Sequence, residues 1–188
     1  FLDDLVSLCE ERNIVIVEDA SESVGTFYNT GKYSGRHTGT IGTVGCLSFN
    51  GNKIITTGGG GMILTNDKEL AEKVRYLTTQ AKDDRLRYIH NEIGYNFRLT
   101  NIQAALGVAQ LEQLPGFLER KREIYCQYKN TLQDIEGLTI ANIPDYADNN
   151  HWLNLMQIDS EIYYQDRDTL MQRLEKSGIK TRPVWHLN

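Results

Sequence analysis

Four consecutive β-branched residues, Ile14-Val15-Ile16-Val17, run directly into Glu18-Asp19-Ala20. An apolar run without polar alternation suits a strand covered on both faces, as in a parallel sheet flanked by helices. Residues 1–12, just before it, place Leu2, Leu5, Val6 and Cys9 on one helical face. Further strands are expected at 44–49 and 62–65, with a Gly-, Thr-, Tyr- and Ser-rich loop over 25–43. Asn66-Asp67-Lys68-Glu69 reads as a capping box opening a helix with Leu70, Val74 and Leu77 as its apolar stripe. Residues 80–98 show no clear period. Thr100-Asn101-Ile102-Gln103 reads as a second capping box, before a helix with Ile102, Ala105, Leu106 and Ala109 on one face. Pro115 is expected to start another helix to about residue 133, with Phe117, Ile124, Tyr128 and Leu132 inward. Strands are expected at 135–141 and 152–158. Asp166 should cap a helix ending near Ser177-Gly178, and 180–185 should be extended. Helices and strands in alternation predict α/β layers.

The chain has 188 residues, enough for one domain or one and a half. Its net charge of −5 makes nucleic acid and anionic membrane surfaces poor partners. No apolar run approaches the roughly 20 residues that span a bilayer. Cys9, Cys46 and Cys126 are odd in number and far apart, which suits reduced thiols in the cytoplasm better than disulfides or zinc. His37, His90, His151 and His186 lack metal-ligand spacing, so no metal is expected. The chain opens without Met, inside a helical pattern, and reads as a piece of a longer polypeptide.

Lys53 is the residue with the strongest chemical signal. It lies in Ser48-Phe49-Asn50-Gly51-Asn52-Lys53-Ile54-Ile55, between a strand and the glycines Gly58 to Gly61. A free lysine, with a pKa of about 10.4, is a poor nucleophile at neutral pH. Desolvation or a nearby cation activates it, and Ile54 and Ile55 are candidates for an apolar wall. An inward lysine and an aspartate at a strand's C-terminal end are the two protein groups that pyridoxal phosphate chemistry requires. Asp19 would pair with the ring nitrogen. At about 4 Å and an effective dielectric of about 20 that attraction is roughly 4 kcal/mol, or about three pKa units in favour of a protonated ring. Taken alone, Lys53 fits an exposed loop lysine better. Asp19, the Ser48 spacing and the glycine run together reverse that order. For Asp19 alone, a helix N-cap is about as good as a catalytic role. The glycine run also invites a nucleotide-binding module without covalent chemistry, although no Gly-Lys-Ser or Gly-Lys-Thr follows it and it leads into a strand. A folded but inactive scaffold is the third reading.

Three ordered blocks carry a family resemblance. They are Val17-Glu18-Asp19-Ala20-Ser21-Glu22-Ser23-Val24-Gly25, then Ser48 to Lys53 with Gly59-Gly60-Gly61-Met62-Ile63, then Gly94-Tyr95-Asn96-Phe97-Arg98-Leu99-Thr100-Asn101-Ile102-Gln103-Ala104-Ala105. Gln110-Leu111 and Thr181-Arg182-Pro183 also fit. Over nearly its whole length the chain resembles the DegT/DnrJ/EryC1/StrS sugar aminotransferases. The resemblance implies the three-layer, aspartate-aminotransferase-like (type I) PLP-dependent transferase fold. Residues 1–114 would be the C-terminal portion of the large cofactor-binding domain, and 115–188 a linking helix with part of the small domain.

By the same resemblance Lys53 is the Schiff-base lysine, Asp19 the pyridinium partner and Ser48 a phosphate ligand. Asn96 would reach the phosphate site of a neighbouring subunit, which implies a homodimer with shared active sites. Glu22 stands where many members carry Gln or His beside the ring hydroxyl, and an ionised carboxylate there cannot donate a hydrogen bond. Arg182 and His186 lie in a segment that approaches the sugar nucleotide in relatives. The implied reaction moves an amino group from glutamate to a keto group of a nucleotide-linked deoxysugar, in surface-glycan or nonulosonic acid synthesis. Lys53 favours this branch over the dehydrating one, which has histidine there. The wording around Lys53 is most like members that aminate UDP-linked 4-keto-6-deoxy-N-acetylhexosamines. The phosphate-binding Gly-Thr turn and the aromatic residue stacked on the cofactor are expected ahead of position 1, and a further piece beyond Asn188.

Overall fold

The computed structural model describes residues 2–84 and 86–186. It divides into two compact units, residues 1–121 with 143–152, and residues 122–142 with 153–188.

The first unit opens with helix α1 (Leu2–Glu11), followed by β1 (Val17–Asp19), β2 (Phe27–Tyr28), β3 (Val44–Ser48) and β4 (Gly61–Leu64). The sheet order is β1-β3-β4. β1 and β3 are parallel, pairing Val17 with Val44 and Asp19 with Cys46. β3 and β4 are antiparallel, pairing Ser48 with Gly61. Asp19 and Ser48 therefore both end parallel strands at the same side of the sheet, and Lys53 lies in the connection from β3 to β4.

The apolar run at 14–18 does not form a covered strand. Only Val17–Asp19 pairs, and Ile14, Val15 and Val17 are 55%, 67% and 61% exposed. β1 is the edge of this sheet, so its outer side has no partner among the described residues.

Two close approaches fix the loop between β1 and β3. A side chain at Gly45 would meet the Gly39 carbonyl oxygen, which is why the loop can lie flat on β3. The Glu18 carboxylate then accepts hydrogen bonds from the backbone N–H groups of Gly39 (2.8 Å), Ile41 (2.6 Å) and Gly42 (2.6 Å). The loop also contains β2, which the sequence reading missed. It pairs with β8 (Ala147–Asp148), more than a hundred residues away.

Helix α2 (Lys68–Thr78) is capped by Asp67, whose side chain accepts from the Leu70 N–H at 3.0 Å. The cap thus bonds Leu70 and not the Glu69 of the expected box. The aperiodic stretch after it holds a short hairpin, β5 (Lys82–Asp84) with β6 (Ile89–His90). The box at Thr100 forms as expected: Gln103 N–H donates to Thr100 Oγ1 at 3.3 Å, and Thr100 N–H to Gln103 Oε1 at 3.1 Å.

Helix α3 then runs unbroken from Asn101 to Leu132 with Pro115 inside it. Proline in a helix interior costs about 3 kcal/mol. Packing on both sides offsets that cost, since Leu114 and Phe117 press on the core cluster of Val24, Phe49 and Ile55. This packing also selects the helix face. Gln103, Gly107, Gln110 and Leu114 turn inward, while Ile102 is 85% exposed and Leu106 lies on the outer side.

The second unit holds the end of α3, then β7 (Leu138–Ile140) antiparallel to β9 (Met156–Ile158), α4 (Ser160–Tyr163) and α5 (Arg167–Lys176). Trp152 lies outside β9, contrary to the expected strand. Asp166 caps α5 as expected, accepting from Thr169 N–H at 2.8 Å. Leu138, Ile140 and Leu170 are its buried residues. Residues 180–186 have no regular structure.

Candidate active site

The Lys53 loop is built to hold one conformation. Phe49 before it and Ile55 after it are both buried in the core cluster. Thr57 N–H donates to the Phe49 carbonyl at 3.0 Å, closing the loop at its neck. Lys53 N–H donates to Asn50 O at 3.1 Å, and Thr56 N–H to the side chain of Gln110 on α3 at 2.8 Å. Ile55, expected as an apolar wall for the lysine, is buried in the core cluster.

The lysine side chain is only 12% exposed. Its Nζ donates to Glu22 Oε1 at 3.1 Å and lies 4.4 Å from the centroid of the Trp152 ring. Asp19, at the end of β1, accepts from Ser21 N–H at 3.1 Å. Among the described residues no helix starts between β1 and β2, so the N-cap alternative for Asp19 falls away. Hydrogen bonds from Ser21 hold the Asp19 carboxyl below its ordinary 3.8, opposed by a slight desolvation and aided by the Lys53 charge. Asp19, Glu22 and Lys53 are thus brought to one electrostatic neighbourhood.

Ser48 ends β3 and its Oγ accepts from Asn50 N–H at 3.3 Å. Asn96 is exposed and bridges to Thr79; among the described residues it makes no hydrogen bond to Asp19, Glu22, Ser48 or Lys53. Arg182 lies in the second unit with its guanidinium 4.6 Å from the Trp185 ring centroid, and His186 is exposed there. Among the described residues no group of three or more His, Cys, Asp or Glu side chains forms a metal site.

Sequence reasoning missed two residues. Trp152 sits beside Lys53, and its Nε1–H donates to the Asn52 carbonyl at 2.6 Å. Asn150 is buried; its amide donates to the carbonyls of Glu22 (2.9 Å) and Val24 (3.0 Å), and its Oδ1 accepts from Trp152 N–H (3.0 Å). No local pattern announces either residue, because their partners lie about a hundred positions upstream.

The model of the DegT/DnrJ/EryC1/StrS aminotransferase family matches residues 2–187. The chain belongs to this family. A Bacillus subtilis protein named "Putative pyridoxal phosphate-dependent aminotransferase EpsN" is 43% identical over 186 residues, covering 98% of this chain and 45% of that protein. A GDP-perosamine synthase of Escherichia coli O157:H7 is 37% identical, over 98% of this chain and 48% of its own. The solved aminotransferase TlmJ from Streptoalloteichus hindustanus superposes with a TM-score of 0.85 at 30% identity, over 95% of this chain and 47% of TlmJ. The chain therefore spans about half the length of the relatives it matches, and it has the α/β fold of the matched portion of these transferases.

Proposed function

We propose that this chain carries the lysine side of the active site of a pyridoxal phosphate-dependent aminotransferase, which moves an amino group from glutamate to a keto group of a nucleotide-linked deoxysugar. One observation carries the reading. A shielded lysine amine, in the loop that follows β3, shares its surroundings with a carboxylate that stays ionised at neutral pH at the end of β1, the strand parallel to β3.

The residues present fit the cofactor. Lys53 would hold its aldehyde carbon, Asp19 its ring nitrogen, and Ser48 its phosphate. Glu22 accepts the Lys53 ammonium at 3.1 Å and can accept from the ring hydroxyl, but cannot donate to it. When bound, the cofactor supplies an electron sink for the carbon that loses or gains a proton. Lys53 Nζ, once free, is placed to carry that proton. Burial beside Trp152 limits the water that could take it instead.

The division near residue 115, into large-domain portion and linking helix with small-domain part, belongs to the same reading. So does a homodimer in the cytoplasm with Asn96 reaching the neighbouring site. Ile93, Phe97 and Ile102 are 82%, 72% and 85% exposed around Asn96, an apolar area that suits subunit contact. No helix among the described residues is long and apolar enough to cross a membrane. Arg182 and His186 are assigned to the sugar nucleotide.

The nucleotide in the name of the perosamine relative is GDP, whereas the Ser48–Lys53 wording is most like members acting on UDP sugars. A panel of GDP-, UDP- and TDP-linked keto sugars, incubated with glutamate and the full-length polypeptide, should yield one amino sugar by mass. Formation of 2-oxoglutarate should match it in amount. A full panel without amino transfer would count against the reading.

A further inference from the structure

The free amine of Lys53 has a built place of its own. Glu22 Oε1 lies 3.1 Å from Nζ, and the Trp152 ring centroid 4.4 Å from it. An ammonium over an indole face is attracted by the ring quadrupole, more strongly where water is excluded. Both partners are tied to one buried residue. The buried Asn150 amide ties the Glu22 backbone to the Trp152 backbone, and Trp152 Nε1–H is fixed on Asn52 O. His151, between them, is buried with φ of 50°, a conformation that persists where the surroundings impose it.

We propose that Glu22 and the Trp152 indole form a holding site for the free Lys53 ammonium, and so favour the released lysine over the lysine bonded to the cofactor. This rests on Lys53 being the cofactor lysine. Attachment sends protons of the ammonium to solvent and water, and forms a C=N double bond from Nζ to an aldehyde carbon. The aldehyde oxygen leaves as that water, and nothing is oxidised or reduced. The two contacts described above belong to the free ammonium. Stabilising one side of an equilibrium shifts it by the difference in interaction between the two states. The holding site therefore weighs the amine form of the cofactor, which leaves Lys53 free, against the aldehyde form, which engages it.

The test titrates the full-length polypeptide with pyridoxal phosphate and, separately, with pyridoxamine phosphate. The quantity read is the half-saturating concentration of the first divided by that of the second. In Trp152→Leu this ratio should fall about threefold to thirtyfold. Trp152→Phe, which keeps an aromatic face, should fall less. Protein carrying 5,7-difluorotryptophan keeps the shape but weakens the ring face, so its ratio should fall in the same direction. That protein decides the matter if Trp152→Leu does not fold. A ratio that is unchanged or raised overturns the inference. A wild-type protein with no borohydride-stable adduct on Lys53 overturns the functional reading and this inference with it; an adduct on Lys53 with an unchanged ratio overturns this inference alone.

Discussion

Lys53→Ala should lower kcat for amino transfer by the full-length polypeptide by at least about a thousandfold, the scale expected when a positioned proton carrier is lost along with a covalent anchor. The fold should survive. The Lys53 backbone N–H still meets Asn50 O, the loop neck still closes through Thr57 and Phe49, and Phe49 and Ile55 stay in the core. What is lost is the ion pair with Glu22 and the contact with Trp152. Thermal unfolding should move by no more than the loss of that ion pair and ring contact, about 1–2 kcal/mol, while turnover collapses. Steady-state kinetics beside a melting curve separate the two. Activity within tenfold of wild type would remove Lys53 from the chemistry.

Asp19→Ala should have the second largest effect. A carboxylate about 4 Å from a protonated ring nitrogen is worth roughly 4 kcal/mol at an effective dielectric near 20, or about a thousandfold. Asp19 is exposed in this chain, so solvent screening reduces that figure, and a loss between about tenfold and a thousandfold is expected. The pH dependence has a definite sign. Ser21 holds the Asp19 carboxyl below 3.8 in the folded chain. Its contribution is thus present above the unfolded value and lost only as pH falls through the lower folded value. The gap between wild type and Asp19→Ala should stay constant from about pH 5 to pH 8, since no carboxylate with a depressed pKa titrates there. A gap that closes within that range would mean that Asp19 is protonated when it should be charged.

Local patterns were more legible in the sequence than what covers them. Lys53 stood out because a short strand, a polar turn and a glycine run are consecutive, and backbone geometry acts on neighbours. The capping box at Thr100 was legible for the same reason, its two hydrogen bonds spanning three residues. Faces were less legible. The Ile14–Val17 run reads as covered, yet it lies at a sheet edge, because periodicity reports what a segment could bury and not what is there to cover it. The same limit inverted the face of α3, where Gly107 and Gln110 turn inward while Ile102 turns out. Pro115 looked like a helix start because its local cost is visible, whereas the compensating packing of Leu114 and Phe117 on the cluster of Val24, Phe49 and Ile55 is long-range. Asn150 and Trp152 were invisible for a related reason. An asparagine that bonds the carbonyls of Glu22 and Val24 is chosen by tertiary structure alone.

The most direct measurement is covalent. The cofactor-loaded full-length protein is reduced with borohydride, digested, and its peptides are weighed. The account predicts one phosphopyridoxyl group, on the peptide that contains Lys53, and none in Lys53→Ala. A group on Lys32, Lys82 or Lys121 instead, or no group at all, would contradict it.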